Sequence, residues 1–415
     1  MATIIPFKGI RPARHLVHLV ASRSADGYTT KDLSEKIAGN PFTFLHVIHP
    51  DIDDKIKTKP GSDERLFKTK AKYEDFHKQG IFVQDIESCY YIYRQQKQGN
   101  VFTGIIGCSS IEDYKKGIIK IHEQTLSERK EKLMHYLEVC DFNAEPVLFS
   151  YPNSEAIDDL TNQITETHPE YDFSTTDKVR HTLWVIKDAE QVKKIYEEFR
   201  KTKSVYIADG HHRSASSALL AKARKAKNKK HTGNEAYNYY MGIFFPESQL
   251  MICDYNRVVK DLNGLSEDEF LKEISKNFAV EKKGETIYQP AHKHNLSMYL
   301  GKSWYSLIPR KGIVNDEEPV ASLDAAILSE YILNPILGIF DLRVDKRISF
   351  VSGIKGMEEL SNSVDTGNNK VAFALFPVQM HQLKHIADTG NVMPPKTTWI
   401  EPKMRSGLVI YSLEG

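Results

Sequence analysis

Ser204-Val205-Tyr206-Ile207-Ala208-Asp209-Gly210-His211-His212-Arg213-Ser214-Ala215-Ser216-Ser217-Ala218 is the stretch from which the fold of this chain can be read. Val205 to Ala208 predict a short buried strand, Asp209 and Gly210 break it, and Ser214 to Lys230 continue in Ala, Leu, Lys and Arg as a helix. The break therefore falls at a helix N-terminus. Such an end carries partial positive charge and disfavours each neighbouring cation by about 0.3 to 1 kcal/mol, yet His211, His212 and Arg213 sit there. An anion would reverse that penalty. Backbone N–H groups without helical partners, a Gly that admits close approach and an Arg fork are the parts of a phosphate cradle. A plainer account, an Asp cap followed by solvated basic residues, stays open on these residues alone.

The whole chain has 415 residues, enough for a sizeable core and two or three domains or layers. Fifty-six Lys and Arg against 55 Asp and Glu leave a formal charge of +1, which argues against a broad nucleic-acid-binding face and leaves room for a local basic pocket. Cys89, Cys108, Cys140 and Cys253 are isolated, so neither a zinc knuckle nor a disulfide framework is expected. The apolar stretches are too short for a membrane span and no continuous signal-type segment opens the chain. A cytoplasmic protein with no membrane and no nucleic-acid partner is the expectation.

Working outward, Arg180 to Ile186 and the helix Asp188 to Lys203 precede the opening stretch, giving strand, helix, strand, cradle, helix, an α/β arrangement. Residues 88–94 and 101–109 predict a hairpin, as do 239–245 with 249–259. Near the start, 4–20 reads as strand, turn, strand and 42–48 as a buried strand, whereas 63–79 reads as a helix. Domain boundaries are expected to give an N-terminal region 1–85, a core 86–260 and a C-terminal region 261–415.

A second informative segment is His122-Glu123-Gln124-Thr125, between a strand ending at Ile121 and a helix starting at Ser127. A zinc-protease motif would need His at position 126, which is Leu126, and the Gly301-Lys302-Ser303 run lacks the P-loop Gly, position 296 being Leu296. Glu123 is then either a carboxylate with a chemical role or a first-turn residue that complements the helix dipole. Met393 to Gly407 adds a stiff loop in which Pro394, Pro395 and Pro402 alternate with Lys396, Lys403 and Arg405.

Set side by side, Ile121-His122-Glu123-Gln124-Thr125 and Ala208-Asp209-Gly210-His211-His212-Arg213 resemble the matching segments of free L-serine kinases of the ParB/sulfiredoxin superfamily. The chain as a whole resembles a larger relative, the domain-of-unknown-function family 1015. The match runs through Asn40-Pro41-Phe42-Thr43-Phe44-Leu45-His46-Val47, the two segments above, Tyr255-Asn256-Arg257, and Met393 to Gly407. It departs at Ala21 to Tyr28, where many members have Ser-Pro-Pro-Tyr-Asp.

The resemblance implies an α/β (α+β) fold, a ParB/sulfiredoxin-like core with a mixed sheet elaborated at both ends. It implies a kinase that moves a phosphoryl group from a small donor to free L-serine, with Mg²⁺. Pyrophosphate is the favoured donor, and ADP or ATP are alternatives. In that reading Gly210, His211, His212, Arg213 and Ser214 hold the donor, His211 also serving as an acid, and Glu123 takes the serine proton. Asp209 orients the hydroxyl or holds a water of Mg²⁺. His122, Thr125, Arg257, Lys396, Lys403 and Arg405 are the residues expected around the substrate. Two other classes stay open: a ParB-like nucleotide-binding module without chemistry, and a phosphate-ester or pyrophosphate hydrolase.

Overall fold

The computed structural model describes residues 1–24, 28–52 and 54–414, so positions 25–27 of the departing segment lie outside the described residues. The chain gathers into two compact units: Met1–Lys120, Thr125–Leu250 and Pro402–Gly415 form the first, and Ile121–Gln124 with Met251–Glu401 form the second. Position 85 lies inside the first unit, and position 260 inside the second.

The first unit is built on a nine-stranded mixed sheet. Its strands in chain order are β1 (Ile4–Ile5), β2 (Tyr90–Lys97), β3 (Asn100–Ser110), β4 (Ile119–Lys120), β5 (Val147–Tyr151), β6 (Tyr171–Ser174), β7 (Arg180–Ile186), β8 (Val205–Asp209) and β9 (Tyr239–Pro246). They lie in the order β6-β7-β2-β3-β9-β5-β8-β4, with β1 joined to β3. β5 and β9 are parallel, as are β8 and β4, and the remaining pairs are antiparallel. Tyr90 to Tyr93 are buried on both faces of the sheet, as a central aromatic strand should be. Phe149 and Phe244 stack at 4.7 Å across β5 and β9, and Ile195, Phe199 and Ile207 complete the core beside them. The helices of this unit include α1 (Asp63–Lys78), α2 (Ser127–Cys140), α3 (Glu155–Thr165), α4 (Ala189–Lys201) and α5 (His211–Lys227). The inner face of α5 is Ser214, Ala215, Ser217, Leu220 and Ala221, all of them small except Leu220, and this small face lets the axis come close to the sheet and to α2.

Three expectations are corrected here. Residues 42–48 are not a strand: Leu45–Ile48 is a helical turn, because Asn40 Oδ1 and Thr43 Oγ1 accept the N–H groups of Phe42 and Leu45 and start the chain turning. Val17–Val20 is likewise helical, so the second strand of the first segment is Ile10–Pro12 alone. Residues 239–259 are not a hairpin, since β9 lies between β3 and β5 while 251–253 and 255–259 belong to the second unit.

The second unit holds a six-stranded antiparallel sheet. In spatial order its strands are Phe278–Gly284, Ser303–Pro309, Leu296–Leu300, Val371–Ala374, Tyr255–Val259 and Ile348–Ser352. Phe270, Phe278, Met298, Leu307, Ile327 and Phe373 fill its core. Cys89, Cys108 and Cys140 are buried free thiols and Cys253 is a partly exposed one. No described helix is long and apolar enough to cross a membrane.

Candidate functional site

β8 ends at Asp209, and Gly210 follows with φ 107° and ψ 28° as the N-cap of α5. That conformation strains a side-chain-bearing residue, and a Cβ here would stand 3.0 Å from the Arg213 guanidinium. Because Gly210 makes the turn alone, helical geometry starts at His211, three residues before the expected Ser214, and ends at Lys227 rather than Lys230. His211, His212 and Arg213 thus form the first helical turn itself, whose N–H groups have no carbonyl four residues back inside the helix. Ser214 is fully buried and its N–H donates to the Gly210 carbonyl at 3.1 Å. Gly210→Ala should therefore cost about 1–2 kcal/mol and displace Arg213. A thermal melt should fall by a few degrees, and an unchanged melt would show that the turn tolerates a side chain.

Asp209 is not a helix cap, since no side chain caps α5. Its carboxylate instead accepts from Lys403 Nζ at 3.0 Å and lies 3.9 Å from Arg213 Nη2. The surrounding protein opposes its ionisation although the side chain is partly exposed, but Lys403 and Arg213 outweigh that and hold the carboxyl at about 2. Arg213 Nη1 also donates to the Pro146 carbonyl at 2.5 Å and stands 3.7 Å from Glu145. Burial lowers the His212 imidazole below its usual value, and Arg129 and Lys130 push it the same way. His211 is almost fully buried.

Arg129 and Lys130 are residues that the sequence reading missed. They occupy the first turn of α2 beside Glu128, so the sign rule that singled out His211 to Arg213 marks them less sharply than it does α5, whose first turn has no acid. Thr125 is half-buried in the irregular run before α2.

Arg405 has a different placement. Its side chain is only 6% exposed, and Nη2 donates to Asp177 at 2.7 and 2.9 Å and to Thr175 Oγ1 at 3.2 Å. Nη2, so held, ties the C-terminal segment to the loop between β6 and β7, while the buried Nε has no hydrogen-bond partner among the described residues. Thr175 Oγ1 lies 3.1 Å from His181 Nε2, and the Tyr93 hydroxyl lies 2.7 Å from Nδ1. A neutral imidazole satisfies both contacts. Burial lowers the fully enclosed His181 to about 3, and Arg405 adds to that while Asp177 opposes it.

The folded pKa of His181 thus lies below the unfolded one, so the unfolded chain binds the extra proton between about pH 6.5 and 3 and stability is lost as pH falls through that window. Unfolding free energy should drop by about 2 kcal/mol from pH 8 to pH 5 on this account. Denaturant titrations at both pH values check it, and His181→Gln should remove that part of the pH dependence.

In the second unit, His122 is fully buried and its carbonyl accepts the Met393 N–H at 2.8 Å, which pins the His122-Glu123 segment to the start of the Pro-rich loop. Glu123 is half-buried and lies outside α2, which starts at Ser127, so the account that puts it in the first helical turn is corrected. Arg257 is fully enclosed: Nη1 donates to the Tyr255 carbonyl, Nη2 donates to the Lys396 carbonyl at 3.3 Å, and the Phe350 ring lies 5.6 Å away. Burial lowers its guanidinium to about 10, with Tyr255 and Asp324 working against the fall. Lys396 takes a left-handed φ of 59°, and its ammonium stands 5.6 Å over the Tyr255 ring. Arg257 therefore holds the main chain that presents Lys396.

Among the described residues no group of three or more His, Cys, Asp or Glu is placed to hold a metal ion. A magnesium ion carried mainly by phosphate oxygens and waters needs no such cage, and the ionised Asp209 fits the part of a carboxylate accepting from one of those waters.

A family model described as a protein of unknown function (DUF1015) matches residues 4–326. No match is found among curated proteins. Among solved structures, a free serine kinase in complex with AMP is 13% identical, with 74% of this chain and 91% of that chain covered and a TM-score of 0.37. A mutant free serine kinase in complex with ADP is 13% identical, with 74% and 92% covered and a TM-score of 0.38. A conserved hypothetical protein from Pyrococcus furiosus is 12% identical, with 74% and 95% covered and a TM-score of 0.36.

Proposed function

We propose that this chain, which belongs to the DUF1015 family of proteins of unknown function, is a kinase that phosphorylates free L-serine from a small phosphoryl donor, pyrophosphate before ADP or ATP. The observation that carries the reading is the Gly210 turn: a left-handed Gly starts α5, and His211, His212 and Arg213 fill its first turn beside Lys403 and Asp209. Cations gathered at the positive end of a helix suit a multiply charged anion. The resemblance of the His122-Glu123 and Asp209 to Arg213 segments to free serine kinases supplies the reaction.

In the proposed reaction the serine hydroxyl oxygen attacks the terminal phosphorus of the donor, the bridging P–O bond breaks, and phosphate leaves with the bond's electrons when pyrophosphate is the donor. Glu123 takes the hydroxyl proton, and Arg213 and His212 hold the donor's charge with the first-turn N–H groups. His211 protonates or holds the leaving phosphate. Transfer of this kind depends on in-line positioning and neutralised oxygen charge more than on covalent help from the protein. Magnesium, when bound, would neutralise phosphate oxygens, with Asp209 accepting from one of its waters. Lys396, Lys403 and Arg405 are proposed for the outer phosphate or the serine carboxylate; Lys403 is paired with Asp209 and Arg405 with Asp177.

The test offers the purified chain L-serine and Mg²⁺ with pyrophosphate, ADP, ATP and acetyl phosphate in turn, and assays phosphoserine and phosphate. Phosphoserine from pyrophosphate is expected. Phosphate released at the same rate without serine would point to a hydrolase, and donor binding with neither product to a binding module.

A further inference from the structure

We propose that the first unit carries a second ligand site, a pocket for a small organic ammonium ion beyond the C-terminal ends of β5 and β9. A cavity of about 260 Å³ lies there, with Thr103, Tyr151, Asp158, Thr161, Asn162 and Gln249 among its walls. It is separate from the Gly210 turn. β8 runs antiparallel to β5 with Asp209 opposite Leu148, near the start of β5, whereas Tyr151 and its partner Pro246 stand at the far ends of β5 and β9. Ligands of α/β sheets settle outside the carboxyl ends of parallel strands, where the following loops diverge, and β5 and β9 are the parallel pair at the middle of this sheet.

The walls are held in place. Asp158, Thr161 and Asn162 are spaced three and four apart and so share one face of α3. Gln249 is anchored by the Thr103 N–H, which donates to its Oε1 at 2.7 Å. The loops leaving β5 and β9 are clamped together where the Ser248 N–H and hydroxyl donate to Asn153 Oδ1 at 3.2 and 2.9 Å.

The charge of this pocket is opposite to that of the Gly210 turn. Asp158 is the one charged side chain in the lining, and among the described residues no cationic side chain pairs with it. Burial raises its carboxyl, and neighbouring Asp159 raises it further. Burial also raises the Tyr151 hydroxyl, to which Asp158 contributes. A carboxylate in this position gains from a cation that brings its own N–H donors. The Thr161 hydroxyl and the Asn162 and Gln249 amides can take the polar remainder of the ligand. A volume just below the roughly 300–1,000 Å³ of drug-sized pockets suits a metabolite; Arg94 stands behind the wall, its Nε donating to Thr103 Oγ1 at 3.0 Å.

Binding to the full chain is measured by calorimetry with two amine probes, tyramine and agmatine, and with 4-ethylphenol, which matches tyramine without its ammonium. At least one amine is expected to bind saturably, 4-ethylphenol about tenfold or more weaker than tyramine, and Asp158→Asn to weaken the amine by about tenfold or more. Thr161→Leu, which fills the pocket from the exposed side of α3, should also abolish binding with the melting temperature kept. The proposal is overturned if neither amine binds, if both variants bind amines like the parent, or if pyrophosphate displaces the amine. Each outcome is read without serine phosphorylation, so it stands apart from the kinase proposal.

Discussion

Glu123→Gln should lower phosphoserine formation by roughly 10²- to 10⁴-fold, the usual contribution of a positioned general base, while leaving pyrophosphate affinity within about twofold of the parent. The substitution keeps the size of the side chain and removes its negative charge and its ability to take a proton. Donor contacts are assigned to Asp209 through Arg213, so they should not feel the change. The segment is held by the bond from the Met393 N–H to the His122 carbonyl, which Gln leaves intact. Turnover at saturating serine and donor gives the first number and calorimetry with pyrophosphate the second. Glu123→Asp should recover part of the rate, since a carboxylate is restored one methylene short. Full activity in Glu123→Gln would assign the proton to another group.

What the sequence made legible followed local pattern. Residues 90–97, 100–110 and 180–186 are strands because β-branched and aromatic side chains are concentrated there, and 63–78 is a helix with Ser62 as its cap. What it hid was set by long-range partners, by a single dihedral or by side-chain bonds to the nearby main chain. The 42–48 run is apolar and short, which fits a strand or a turn of helix equally, and Asn40 and Thr43 decided it. β9 looked like half of a hairpin because its true neighbours, β3 and β5, are remote in sequence.

At the site, the left-handed Gly210 moved the helix start by three residues, so the cations became the helical turn itself. Asp209 could not be separated from a helix cap until Lys403, 194 residues away, appeared as its partner. Arg405 read as an open cation because Asp177, 228 residues earlier, is invisible from the loop. Arg129 and Lys130 were readable in principle, by the same argument from cations at a helix start.

Arg213→Ala should weaken pyrophosphate binding by roughly 10- to 100-fold, the range expected when a charge-assisted hydrogen bond of about 1.5–3 kcal/mol is lost. Arg213 has structural partners as well: its Nη1 donates to the Pro146 carbonyl, and Glu145 and Asp209 lie at 3.7 and 3.9 Å. Removing it therefore loosens the tie between the start of α5 and the entry to β5 and leaves Asp209 to Lys403 alone. A lower melting temperature without donor is expected for that reason and does not bear on the cradle. Arg213→Lys separates the two effects, because it keeps the charge but loses the planar fork. If the turn holds phosphate, Lys should bind pyrophosphate with an affinity between those of Arg and Ala, and the affinity of the parent should fall more steeply with added salt than that of the Ala variant. If Ala and Lys both bind pyrophosphate as tightly as the parent, the donor is held elsewhere, and the cations of α5 serve only to neutralise Glu145 and Asp209.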